Sequence, residues 1–149
     1  MKYFPGFLLL IGLTCFSFAS AQTLRKVNND AFIRGEKLQF RVFYDALLTG
    51  KVTAGYATLE VKNEVKTMQN RPVFHIVGEG KSRTAFNWFF KVQDRMESFI
   101  DEEALMPYMF IRRTREGGYV KDDDVRFDHQ RKYASSRNAG SIGSEQVQQ

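Results

Sequence analysis

Any imidazole chemistry in this sequence depends on two histidines, His75 and His129. His75 lies on a predicted strand with Glu79 on the same face, an arrangement in which a carboxylate could hold a general base. No serine, cysteine or second histidine is placed with this pair, so a half-buried structural histidine is the favoured interpretation. His129 follows Asp128 at the end of a strand and is predicted to be a solvated turn residue.

Acidic residues are the second possible source of catalysis. Glycoside hydrolysis needs paired carboxylates, but strand alternation puts Asp94 on one face and Glu97 and Asp101 on the other. Arg95 shares the face of Glu97 and is its predicted partner. The acidic run 122–124 lacks the spacing of a calcium loop. The sequence therefore predicts no catalytic residues, no metal site and no cofactor.

An aromatic cluster is the remaining candidate site. Phe86, Phe89 and Phe90 are spaced i, i+3, i+4, which predicts one short helix, and Trp88 lies between them. These side chains could line a mouth that receives an apolar ligand. The favoured interpretation is that the helix packs onto a sheet and closes its core, because an aromatic stripe is costly in water.

Alternation of apolar and polar residues predicts the elements that must position these groups. Period-2 segments indicate strands over 38–44, 52–62, 73–80 and 92–100, with two more around a glycine turn. The predicted fold is mainly β: an antiparallel meander sheet or partial barrel with one short aromatic helix. Gly78 and Gly80, inside the third strand, indicate a bulge or a close crossing.

The glycine turn is Gly117-Gly118, and its sequence predicts a type I′ hairpin in which both glycines have positive φ. The resulting register sets Arg113 opposite Asp122 and Arg112 opposite Asp123. Opposite charges across a strand pair stabilise it, so this register accounts for the acidic run without a cation.

The N-terminus is typical of a secretory signal peptide, with Lys2, an apolar run over 7–18 and the small residues Ala19-Ser20-Ala21. Cleavage is predicted between Ala21 and Gln22. The apolar run is about 12 residues, whereas a spanning helix needs about 20, so no permanent membrane span is expected. Cleavage would also remove Cys15, the one cysteine of the chain.

Net charge and composition bear on the possible partners and on the domain organisation of the chain. The net charge of +5 is small, and the charged residues are interspersed along the sequence without a basic stripe, so nucleic-acid binding is not expected. The predicted divisions are a signal peptide over 1–21, a loosely held lead-in over 22–35, a β domain over 36–134 and an unstructured tail over 135–149.

Several segments together resemble the exported family called domain of unknown function 3108. They are the stretch from Trp88 to Asp101, Leu105-Met-Pro107, the stretch from Arg112 to Tyr119, and Phe127-Asp-His129. The resemblance implies an envelope location in Gram-negative bacteria, especially Bacteroidota, and a β-rich fold, with no catalytic residues to transfer. Family members usually continue with further strands, so the resemblance predicts that only the first half is present and that the β domain is incomplete.

Three functions remain open from the sequence. The first is a non-catalytic protein of the periplasm or cell envelope that binds an apolar or amphipathic ligand or an envelope partner. The second is a structural or assembly module that pairs through exposed sheet edges. The third and weakest is a hydrolase that uses His75. The candidate ligand-binding residues are Phe86, Trp88, Phe89, Phe90 and His75.

Overall fold

A computed structural model describes residues 24–46, 50–138 and 141–146. Within these residues, nine strands form one antiparallel sheet in the order β1-β2-β4-β5-β6-β7-β8-β9, with β3 paired to β4. The sheet is open rather than closed into a barrel, so the predicted mainly β meander is confirmed. The strands are β1 Lys37–Ala46, β2 Gly50–Val61, β3 Lys66–Met68, β4 Arg71–Ser82, β5 Gln93–Asp101, β6 Pro107–Glu116, β7 Tyr119–Asp128, β8 Tyr133–Asn138 and β9 Ser141–Gln146.

The predicted ends of the β domain need correction. The segment predicted to be an unstructured tail contains β8 and β9, which form a hairpin. Backbone hydrogen bonds make this pairing, and they need no large apolar side chains, so the polar composition of the segment was a poor guide. The predicted signal peptide and its cleavage site at Ala21 and Gln22 lie outside the described residues.

The predicted loose lead-in is also wrong over its described part. Arg34 donates hydrogen bonds to the carbonyl oxygens of Glu64 and Val73, each at 2.8 Å. The Val27 N–H donates to the Glu103 carbonyl at 2.7 Å. Leu24 packs against the buried cluster of the sheet. These contacts hold the lead-in across one end of the sheet.

The two faces of the sheet differ in chemistry. Residues that are paired across neighbouring strands share a face. One such row crosses four strands as Glu79, Arg95, Arg113 and Asp122, and we call its side the charged face. The other side, the apolar face, carries Leu38, Phe40 and Val42 of β1 together with Leu59 and Ala57 of β2. The large side chains among them are 41–50% exposed, so this face is largely uncovered over β1 and β2.

The buried core lies at one end of the sheet. It consists of Val73, Phe99 and Tyr108, which are 0%, 8% and 5% exposed. A bulge between Phe99 and Ile100 breaks the register with β6 beside this cluster. The core therefore holds one end of strands β4, β5 and β6, and leaves their other end free to carry a site.

The predicted hairpin register is confirmed, but its turn differs. Arg113 lies opposite Asp122, and Arg112 opposite Asp123. Of the two glycines, Gly117 alone has a positive φ, at 56°. A positive φ at the first central position is the type II′ pattern rather than type I′.

The predicted helix is shorter and less buried than the sequence indicates. It is one turn of 3₁₀ helix over Thr84–Phe86. Trp88 is 85% exposed and Phe89 is 76% exposed, so the expectation that this segment closes the core is wrong. The core is closed elsewhere, and the aromatic side chains remain available to solvent.

Candidate ligand-binding cavity

A cavity of about 650 Å³ opens at the end of the sheet away from the buried core. Its walls are side chains of β1 and β2, its floor is the end of β4, and its rim is the segment 84–92. We call it the aromatic cavity. Its lining includes Val42, Tyr44, Ala57, Gly80, Phe86, Trp88, Phe89, Phe90 and Val92.

Glycines keep the floor of the aromatic cavity low. A Cβ on Gly80 would meet no atom within 4 Å, so the space above this residue is empty. A Cβ on Gly55 would lie 2.6 Å from the Lys81 carbonyl oxygen, so glycine is required for the close approach of β2 and β4. The cavity exists because side chains are missing along this part of the apolar face.

Backbone contacts position the aromatic rim. The Arg83 N–H donates to the Ala54 carbonyl at 2.8 Å, which fixes the start of the segment to β2. The Val92 N–H donates to the Ser82 hydroxyl at 2.9 Å, which closes the segment at its end. The Gly117 N–H donates to the Lys91 carbonyl at 2.7 Å. The rim is therefore tied to β2, β4 and the β6–β7 turn.

The aromatic side chains on this rim are poorly covered. Phe90, the best covered of Trp88, Phe89 and Phe90, is still 48% exposed. Burying a large apolar side chain is worth about 1.5–3 kcal/mol, so these groups offer a strong gain to a molecule that covers them. The volume of the cavity also lies in the range of small-molecule sites, about 300–1,000 Å³.

His75 is separated from the aromatic residues with which it was grouped. It lies on the charged face, is 5% exposed and stacks on Phe99 with ring centroids 4.4 Å apart. Its Nε2 lies 2.6 Å from Glu97 Oε2, and its Nδ1 lies 3.1 Å from Lys66 Nζ. The predicted partner Glu79 instead pairs with Arg95. Both ring nitrogens are occupied by these contacts, which favours a structural role.

The charged face is a network of ion pairs. Arg95 Nε donates to Glu97 Oε1 at 2.8 Å, as the sequence predicts. Burial opposes ionisation of Glu97, but hydrogen bonds from Arg95 and His75 outweigh it and hold the pKa of this carboxyl below its usual value. No serine or cysteine takes part in these hydrogen bonds among the described residues. Within the described residues the network joins strands and contains no hydroxyl or thiol nucleophile.

The acidic run of β7 is bound by arginines. Asp122 pairs with Arg115, Asp123 with Arg112 and Asp124 with Arg113. Two of these three pairs are diagonal rather than directly opposite. Among the residues that the structure describes, no group of three or more His, Cys, Asp or Glu could hold a metal ion.

A family comparison covers most of this architecture. The model of the family described as Protein of unknown function (DUF3108) matches residues 39–146. The chain belongs to the DUF3108 family. The DUF3108 match begins within β1, ends with β9 and includes every residue of the aromatic cavity. No curated protein and no solved structure matches the chain.

Sequence reasoning found the rim of the cavity within this DUF3108 chain but missed its wall and floor. Val42 and Tyr44 were assigned to a strand without a role in the site. The signal for the floor was Gly80, a glycine inside a strand, which marks a place where space is kept open.

The described residues also contain no helix long and apolar enough to cross a membrane.

Proposed function

We propose that this protein is an exported, non-catalytic component of the cell envelope that binds a small apolar or amphipathic molecule in the aromatic cavity. The observation that carries the proposal is the cavity itself, about 650 Å³ in volume and lined mainly by apolar side chains. The envelope location rests on the signal peptide predicted for residues 1–21, which would direct the protein to the periplasm or beyond.

The cavity supplies its own reporter for a binding experiment. Trp88 is the only tryptophan in the chain, lines the cavity and is 85% exposed. A bound apolar molecule would move its indole from water to an apolar environment. We expect a blue shift of Trp88 emission on titration with dodecanol.

A cavity-filling variant tests the same proposal. Gly80→Val places a β-branched side chain in the empty space above the floor and suits a strand. We expect it to weaken dodecanol binding by at least about tenfold, or ~1.4 kcal/mol, with no loss of thermal stability. Gly78→Val is the matched control, since Gly78 lies on the same strand and face but outside the cavity. Equal binding by the two variants would contradict the proposal.

Exposure of β1 favours a second candidate function, self-assembly through the sheet edge. Among the described residues, β1 pairs with β2 alone, so its other edge is free. Two copies of β1 paired antiparallel about Arg41 would set Lys37 opposite Asp45 and Phe40 opposite Val42. Opposite charges would then pair at both ends of the strand, and apolar side chains would pair between them. This complementarity favours a second copy of the chain as the partner.

Sedimentation velocity distinguishes this candidate from ligand binding. If β1 pairs with itself, the wild-type chain should form a dimer whose fraction rises with protein concentration. Phe40→Lys should raise the dissociation constant of this dimer by at least about tenfold. Phe40 does not line the aromatic cavity, so dodecanol binding should be unchanged. Val120→Lys, at another exposed strand position, is the control. A monomeric wild-type chain would exclude assembly through β1.

A further inference from the structure

A second pocket adjoins the aromatic cavity and has a different chemistry. Its volume is about 690 Å³, and three of its lining residues are the cations Lys81, Arg83 and Lys91. We call it the basic pocket. It shares five lining residues with the aromatic cavity, so the two are continuous at the end of β4. The shared residues are Tyr56, Lys81, Ser82, Ala85 and Val92.

The basic pocket has no carboxylate in its lining. Among the described residues, none of Lys81, Arg83 and Lys91 forms an ion pair, in contrast to three arginines of the charged face, Arg95, Arg113 and Arg115. Three acidic residues border this part of the sheet: Glu79 on β4, Asp94 on β5, and Glu116, which lies opposite Val92. Glu79 pairs with Arg95, and Asp94 accepts a hydrogen bond from the Arg115 N–H at 3.0 Å.

Three exposed cations without acidic partners would attract an anion to this pocket. The backbone holds them together. Lys81 is the penultimate residue of β4 and pairs on both sides, with Tyr56 and Gln93. Arg83 is fixed by its N–H bond to Ala54, and the carbonyl of Lys91 accepts from Gly117. An anion in the basic pocket would therefore lie directly beside the mouth of the aromatic cavity.

We infer that the ligand is an anionic amphiphile, whose apolar chain lies in the aromatic cavity and whose negatively charged head group binds Lys81, Arg83 and Lys91. This inference rests on the proposed function and adds the chemical class of the ligand to it. A single surface ion pair contributes little, but three together should favour an anionic head group over a neutral one by about tenfold.

The test compares head groups on one chain length. Dodecanoate, dodecyl phosphate, dodecanol and dodecyltrimethylammonium are titrated below micelle-forming concentrations, with Trp88 emission as the readout. Both anions should bind about tenfold more tightly than dodecanol, the cation should bind most weakly, and added salt should reduce the preference. Inorganic phosphate, which lacks a chain, should leave Trp88 emission unchanged. Equal affinity for dodecanoate and dodecanol would overturn the inference.

A charge-matched pair of variants locates the effect. Lys81→Gln, Arg83→Gln and Lys91→Gln combined should abolish the preference for anions, measured within the variant as the ratio of dodecanoate affinity to dodecanol affinity. Arg25→Gln, Lys26→Gln and Arg126→Gln combined remove the same net charge from exposed residues outside both pockets, and should keep the preference. If the two triple variants lose the preference for anions equally, the basic pocket is not the head-group site.

The outcomes separate this inference from the proposed function. If dodecanol binds and Gly80→Val blocks it, but no head group is preferred, the aromatic cavity is a binding site and the anionic amphiphile is wrong. If none of the four amphiphiles changes Trp88 emission, both the proposed function and the inference fail.

Discussion

Replacing Asp101 with alanine is expected to lower the free energy of unfolding by about 3 kcal/mol, since it would leave the partly buried Arg71 with only the exposed Glu103 as a partner and the buried Tyr108 hydroxyl without its acceptor. Asp101 is 0% exposed. Arg71 donates to its two carboxylate oxygens at 2.5 and 2.9 Å, and the Tyr108 hydroxyl donates at 3.1 Å. The backbone N–H groups of Glu103 and Ala104 add two more hydrogen bonds, at 3.0 and 2.7 Å. Asp101 thus ties the buried core to the turn after β5.

Urea denaturation checks this expectation. Asp30→Ala is the control, because Asp30 is exposed and bonds only to neighbouring Asn28 among the described residues. The free energy of unfolding of Asp30→Ala should fall by no more than about 0.5 kcal/mol, as is usual for surface changes. Similar losses in the two variants would show that the Asp101 hydrogen bonds do not stabilise the fold.

The pH dependence of stability gives a second readout of the same carboxylate. The hydrogen bond from Arg71 is the main cause that lowers the pKa of Asp101 from 3.8 to about 2, against the opposing effect of burial. Because the folded pKa is the lower one, the stabilisation is present above pH 3.8 and is lost as the pH falls towards 2. Asp101→Asn should therefore lose less stability than the wild type across this interval.

Gly117→Val is expected to destabilise the chain by about 2 kcal/mol, whereas Gly118→Val should cost less than about 0.5 kcal/mol. The φ of Gly117 is 56°, which strains a β-branched residue. A Cβ there would also lie 2.8 Å from Phe90 Cε2, whereas a Cβ on Gly118 would meet no atom within 4 Å. Neighbouring glycines of one turn thus serve as variant and control.

The same pair of variants tests the link between the turn and the aromatic cavity. Displacement of Phe90 by the new side chain should weaken dodecanol binding in Gly117→Val and not in Gly118→Val. Adding Phe90→Ala to Gly117→Val should relieve the collision but not the backbone strain, so only part of the stability should return. Equal unfolding free energies for the two valine variants, measured in urea, would contradict the turn geometry.

Strand order could be predicted from the sequence because the signals are local. The alternation over 38–44 and 52–62 shows directly which residues share a face. The register of β6 with β7 follows from a two-residue glycine turn and from the charges of Arg112 and Asp123. These features need no knowledge of the rest of the chain.

The site was harder to predict because it depends on pairings across strands. His75 has a carboxylate four residues away at Glu79, but its partner is Glu97, which becomes a neighbour only when Val77 of β4 lies opposite it. The aromatic spacing predicted a helix that covers the sheet. What spacing could not reveal is that Gly80 leaves a void beneath it.

The off-centre position of the buried core has a consequence for how a ligand would enter. β4 runs from Val73 in the core to Gly80 in the cavity floor, seven residues or about 23 Å along an extended strand. Amide groups near Val73 should exchange with solvent only on global unfolding, while those near Gly80 should exchange through local opening. With that exchange pattern, a ligand would enter the cavity through local opening, without disturbing the core that keeps the protein folded.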